Sequence, residues 1–337
     1  MWGVNPITLP SRDEEDHILY KQKVAHKLNE FAESIKLFKQ IEKKEGGKIS
    51  FALEGKNGYS VPLDRILLAQ GFTLYHVDNL KLKRFREAFA GEWRDDQRDA
   101  LMLSKMLKLK DHINSQREKV FIKIEKPSPL TESLKLLSRH QQTLIDEKVR
   151  LTNRLRKKLL EAGPEILKLA KLKNKKLIAI LAKYPDFSKY RRITLKSLLK
   201  IKGIGEIQAP FLLKRLNHLE YVPGLTDIYQ TIISSYAKRI SELQKEIKDI
   251  DRKLDEIGEK NKEVNHLKTI PGVATKLASR LIGEIGDIHR FPSEKQLAIY
   301  CGIACVNNDS GKVTKARVVY KANKICKQTL INMAGRM

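Results

Sequence analysis

The sequence predicts an α/β portion at the N-terminus and a mostly α-helical remainder, on three patterns. A strand, a helix and a second strand follow one another between residues 46 and 77. Past Pro127 and Pro129 the chain turns helical and basic. A heptad seam then runs from Ile233 to Val264.

Taken in order, residues 19–44 carry apolar positions at helical spacing (Leu19, Val24, Leu28, Phe31, Ile35, Phe38, Ile41) and read as a helix. GGKISFALEG (46–55) reads as a turn and a short strand, with Ile49, Phe51 and Leu53 alternating with Ser50, Ala52 and Glu54. Val61–Gln70 reads as a helix capped by Gly71, and FTLYHV (72–77) as a second strand. Short links make this a βαβ unit with parallel strands. One unit is thin for a sheet, so a further strand is expected, either earlier or near KVFIKI (119–124).

EKVRLTNRLRKKLLEAG (147–163) reads as a long amphipathic helix ending at Gly163. Lys148, Arg150, Arg154, Arg156, Lys157 and Lys158 make its outer face positive, which suits a phosphate-tracking surface; a solvated face is the plainer reading. The seam takes Ile233, Tyr236, Ile240, Leu243, Ile247, Ile250, Leu254, Ile257, Asn261 and Val264 at 3-4 spacing. It predicts a coiled coil, two-stranded or antiparallel, with Asn261 as its polar member, and a homo-oligomer built through it; one helix of a bundle is the alternative. Residues 265–337 mix helices with Gly-rich turns, NNDSGK (307–312) being an exposed turn. The expected domains are 1–126, 127–264 and 265–337.

The length of 337 residues allows two or three domains. Lys+Arg number 66 against 40 Asp+Glu, a net charge of +26 that calls for a polyanion partner. Three cysteines build no disulfide framework and suit a reducing, cytoplasmic setting. Cys301 and Cys305 lack a second pair of soft ligands, which argues against zinc. No apolar run approaches a membrane span, and the N-terminus turns acidic where a secretory leader needs its apolar core.

Two turns have helix-hairpin-helix spacing: IKGIGEIQA (201–209), with Gly203, Gly205 and Ala209, and IPGVATKLA (270–278), with Gly272, Ala274 and Ala278. Glycines let the backbone turn tightly and aim amide N–H groups at a phosphate without reading sequence. An ordinary helix–helix connection is the other reading. Glu54, ending a strand, and Asp96 and Asp99 in RDDQRDA (94–100), sharing a helix face, are candidate Mg²⁺ ligands for phosphoryl transfer. Ser310, in NDSGK near Lys312, Lys315 and Arg317, is a candidate nucleophile on a phosphodiester.

These blocks together resemble the insertion sequence 110 family of transposases, over most of the chain. FALEGKNGYSVPL (51–63) is similar to the family's second-acid block, and VDNLKLKRF with RDDQRDALML (77–103) to the block holding its third and fourth acids. LIDEKVRLTNRLRKKLLEAGPEI (144–166) resembles its long helix. LKTIPGVATKLASRLIGEIGDIHRFPSEKQLAIYCGIACVNNDSGK (267–312) resembles its C-terminal domain and is the most specific match. The resemblance implies a RuvC-like (RNase H-like) nuclease domain, a coiled coil and a C-terminal helical domain. It implies Glu54, Asp96 and Asp99 as the second, third and fourth acids of a D-E-D-D Mg²⁺ site, and Ser310 as the serine that links to DNA. It implies DNA and a structured non-coding RNA as partners.

The family's opening apolar strand, which bears the first acid, has no counterpart before residue 15, and Asp13 and Asp16 are poor substitutes. The family also runs on past the position of Met337. The expectation is therefore a truncated copy whose nuclease domain is partial. The function expected is metal-dependent DNA cleavage and rejoining by a serine nucleophile, lost if the site is incomplete. The alternatives are a non-catalytic nucleic-acid-binding remnant and a RuvC-like structure-specific nuclease without serine chemistry.

Overall fold

A computed structural model describes residues 7–12, 18–54, 60–77, 79–89, 96–113, 120–126, 128–169, 172, 174–220, 226–310, 313–318 and 322–336. For 7–12, 18–23, 89, 96–98, 226, 305–310 and 313–318 it describes the backbone alone. The chain divides into two compact units, residues 1–126 and 127–337.

The first unit opens with an antiparallel hairpin of β1 (Ile7–Arg12) and β2 (Ile18–Val24), pairing Ile7 with Val24. The helix expected from residue 19 therefore begins only at α1 (Leu28–Glu45). Leu19 and Val24 fit helical spacing by coincidence. A strand does precede residue 15, but β1 reads ITLPSR and bears no acid. Asp13 and Asp16 lie outside the described residues.

Next come β3 (Ser50–Glu54), α2 (Val61–Ala69), β4 (Thr73–Val77), α3 (Asn79–Phe89), α4 (Asp96–Lys108), the short α5 (Lys110–Ile113) and β5 (Phe121–Ile124). The sheet order is β3-β4-β5, with β3 parallel and β5 antiparallel to the central β4. The βαβ unit and the further strand near residues 119–124 are both present. Side-chain alternation sends Phe51 and Leu74 to one face, where they pack with Phe31, Phe38, Leu63 and Leu67 of α1 and α2. Phe38, Phe51 and Phe72 meet edge to face at 5.1–6.3 Å. Val77 and Phe121 go to the other face and pack with Leu82, Leu103 and Met106 of α3 and α4.

The second unit is built on two 34-residue helices, α6 (Pro129–Ala162) and α11 (Thr226–Glu259). They run antiparallel: Glu147 meets Arg239 at 3.4 Å, and Glu161 meets the Tyr229 hydroxyl at 3.4 Å. Ile233, Ile240, Leu243, Ile250 and Leu254 of the seam are buried. The seam is thus filled from within the chain, and the self-association expected through it loses the surface it was read from. Asn261 is not a seam residue either. Helix α11 has already ended, and the Asn261 side-chain oxygen caps α12 (Lys262–Leu267) by accepting from Val264 N at 2.9 Å.

Between the long helices lie α7 (Ile166–Leu169), α8 (Lys175–Lys183), a 3₁₀ turn (Phe187–Arg192), α9 (Leu195–Leu199) and α10 (Ala209–Asn217). They pack on the C-terminal end of α6 and the N-terminal end of α11 through Leu155, Leu159, Ile233 and Ala237. The chain then adds α13 (Thr275–Ile285), α14 (Glu294–Cys301), an antiparallel hairpin of β6 (Cys305–Ser310) and β7 (Val313–Val318), and α15 (Lys324–Ala334). Residues 307–310, read as part of a turn, are the end of β6. The strand was hidden because Asn, Asn, Asp and Ser are poor strand formers. Helix α13 lies so close to α6 that a Cβ on Gly283 would sit 2.7 Å from Lys135 N.

Candidate functional site

Alternation along β3 puts Ala52 and Glu54 on the face covered by α3 and α4, so Glu54 emerges at the C-terminal end of the strand on the α4 side. Asp99 lies one turn into α4, which packs against both β1 and β3. Arg86 of α3 stands between the two acids. One guanidinium nitrogen donates to Asp99 Oδ2, and the other to Glu54 Oε1 at 3.4 Å. All three side chains are partly exposed: 41% for Glu54, 30% for Asp99 and 22% for Arg86. Burial alone would lower the Arg86 pKa. The Asp99 hydrogen bond and the charges of both acids outweigh it, and the net shift is upward.

Two of the three expected ligands are therefore brought together, around a cation of the chain itself. Asp96 is the first residue of α4, under one turn before Asp99. Among the described residues no group of three His, Cys, Asp or Glu side chains converges as a metal site; the Asp96 side chain is outside that set. Arg86 was missed in the sequence. Its only signal is the basic run KLKRFR on the helix between the second strand and the DxxD acids.

Ser310 closes β6 and pairs with Val313, while Lys315 pairs with Asn308 and Arg317 with Val306. In an antiparallel pair, opposite residues share a face and so do residues two apart. Ser310, Lys315 and Arg317 therefore occupy one face of the hairpin. Lys312 lies outside the described residues.

Arg150, Arg154 and Lys157 are exposed on α6. Lys158 is not free for a ligand: its ammonium is 2.6 Å from Glu161 Oε2 and 5.8 Å above the Tyr229 ring. Gly203 and Gly272 each sit in a turn between two helices with φ of +93° and +81°, a conformation a side chain would strain. Gly205, beside the first, has open space where a Cβ would be. Ala274, at the second turn, is the N-cap of α13 and makes no side-chain cap.

A family model described as "Transposase" matches residues 8–164, and one described as "Transposase IS116/IS110/IS902 family" matches residues 264–337. Among curated proteins, the chain is 24% identical over 309 residues to the insertion element IS116 uncharacterized 44.8 kDa protein of Streptomyces clavuligerus, covering 90% of this chain and 74% of that one. It is 22% identical over 252 residues to the insertion element IS110 uncharacterized 43.6 kDa protein of Streptomyces coelicolor, covering 72% of this chain and 60% of that one.

Proposed function

Because this chain belongs to the IS110 family of transposases, we propose that it cuts and rejoins DNA for a mobile insertion element, with an RNase H-like acid site and a serine nucleophile. The observation that carries the reading is the meeting of Glu54 and Asp99 across one guanidinium. Two carboxylates from a strand end and a helix already share one cation, which is what a pair of oxygen ligands for Mg²⁺ must do. Asp96, the first residue of the same helix, is the third ligand this reading calls for. The residues fit the ion. When bound, Mg²⁺ supplies positive charge that stabilises attacking and leaving oxygens.

The chain's own part is as follows. Arg86 gives up its hold on the two acids. Ser310 Oγ bonds to phosphorus as the bond to the leaving DNA oxygen breaks, and the serine proton passes to that oxygen. Attack by a hydroxyl of another strand reverses the step and restores Ser310. Lys315 and Arg317, on the serine's face of the hairpin, hold the phosphate. Arg150, Arg154 and Lys157 track the backbone, and the net charge of +26 suits a structured RNA as well as DNA.

Covalent capture of element DNA by the full chain, with the element's RNA and Mg²⁺, tests this. Ser310→Ala should abolish the protein–DNA adduct and Asp99→Asn should abolish cleavage. An adduct that survives Ser310→Ala removes the serine from the mechanism. A second reading, a DNA-binding protein that does not cut, is favoured by the way Arg86 already occupies the space between both acids; it predicts salt-sensitive binding that ignores Mg²⁺, with no cleavage.

A further inference from the structure

A large block of positive charge lies where neither family model reaches, between residues 164 and 264. Residues 166–219 hold fourteen Lys or Arg against two Asp or Glu. Less than a sixth of the chain thus carries twelve of its twenty-six net charges. Such a block repels itself, and its energetic compensation is a polyanion.

The helices α7–α10 fold that block into a small body whose core is shared with the ends of α6 and α11. Leu177, Ile178, Leu181, Leu198, Ile201 and Ile204 are all buried in it. Two large apolar residues stand out as the most exposed of the block: Ile207 at 84% and Phe211 at 72%. They are four residues apart, where the turn after Gly205 enters α10. Burying each would gain roughly 1.5–3 kcal/mol, so a body that packs Phe187 and Tyr190 inside but leaves this pair in water has a surface suited to a partner. The charges beside the pair are Lys176, which hydrogen-bonds Gln208, the exposed Lys202, Lys214 and Arg215, and a single exposed acid, Glu206.

The combination selects the partner. A protein docking on Ile207 and Phe211 would have to meet this basic rim with acids of its own. A duplex hides its base faces in the stack and offers Phe211 nothing but backbone. An unpaired strand offers both chemistries at once, phosphates for the cations and a π-face for the ring. We propose that the surface formed by residues 202–215 binds an unpaired nucleic-acid strand, with Phe211 stacking on a base, Ile207 packing beside it, and Lys202, Lys214 and Arg215 holding the adjoining phosphates. This goes beyond strand cleavage and stands whether or not the acid site cuts DNA.

Binding of the full chain to fluorescent dT30, rU30 and a 30-base-pair duplex is the test, read by anisotropy over a salt series. Phe211→Ala should weaken single-strand binding about tenfold or more, leave the dependence of log K on log salt unchanged, and leave duplex binding unchanged. Phe211→Trp should restore single-strand affinity. Lys202→Ala with Lys214→Ala should lower affinity and flatten the salt slope. Dependence on Phe211 for dT30 alone upholds the proposal with DNA as the strand, and dependence for rU30 alone upholds it with RNA. Wild-type affinity of Phe211→Ala for both single strands overturns it, as does an equal loss for single strand and duplex. Because Phe211 is mostly in solvent, the substitution opens no cavity.

Discussion

Each unit contains an arginine set against carboxylates, and the two clusters are built in opposite ways. In the second unit Glu284 is fully buried on α13. Arg139 grips it with Nε at 2.6 Å from Oε1 and Nη2 at 2.8 Å from Oε2. Asn323 Nδ2 donates to Oε2 at 2.7 Å, and the Tyr300 hydroxyl donates to the Glu284 carbonyl at 2.9 Å. Beside it the Arg290 guanidinium lies over the rings of Phe291 and Tyr300, at 4.4 and 4.7 Å. Every oxygen of the acid is satisfied. In the first unit one arginine is divided between two partly exposed acids, and at 3.4 Å its bond to Glu54 is long. A saturated acid buried at a helix contact joins helices; two partly exposed acids that share one guanidinium retain capacity for another cation.

The largest effect that can break this contrast is the removal of Glu284. Glu284→Ala leaves Arg139, half in water, without its counter-charge and Asn323 without an acceptor, and should cost about 2–3 kcal/mol in urea denaturation. A near-neutral result would deny that the cluster holds the unit together. Close by, Gly283→Ala sets a Cβ against Lys135 backbone at 2.7 and 2.9 Å, so the helices must part, at about 1–3 kcal/mol. Gly205→Ala, facing open space, should cost under about 1 kcal/mol in the same assay.

The pH dependence sharpens the contrast further. Burial alone would raise the Glu284 pKa, but the Arg139 and Asn323 hydrogen bonds outweigh it and the acid stays below the usual carboxylate range. Its stabilisation is therefore complete above the ordinary glutamate pKa and is lost as pH falls through the lower folded value. Glu284→Gln should flatten the acid limb of a Tm–pH curve. Arg86→Gln, in the exposed cluster, should change stability by less than about 1 kcal/mol.

Patterns local in sequence were legible. The β3–α2–β4 unit announced itself by alternation and by Gly71 after the helix. The seam residues of α11 were placed inward by their spacing. What spacing could not show was the partner of each. The seam's other half is α6, about a hundred residues earlier, and the Arg139–Glu284 pair is 145 residues apart. Arg86 escaped because a basic helix face is ordinarily solvated, and only the fold sets it between Glu54 and Asp99. The β1–β2 and β6–β7 hairpins were missed because mixed or polar strands carry little of the hydrophobic signal that marks a strand. Asn261 shows the reverse error: a residue in seam register whose helix had already stopped.

The reading of Glu54 and Asp99 as cation ligands is tested most directly by titrating the full chain with Mn²⁺ in a calorimeter at neutral pH. The wild type should bind. Arg86→Gln should bind about tenfold more tightly, because the competing guanidinium is gone. Glu54→Gln combined with Asp99→Asn should not bind at all. Mn²⁺ binding that survives the loss of both acids, or no binding by any of the three proteins, would contradict the account.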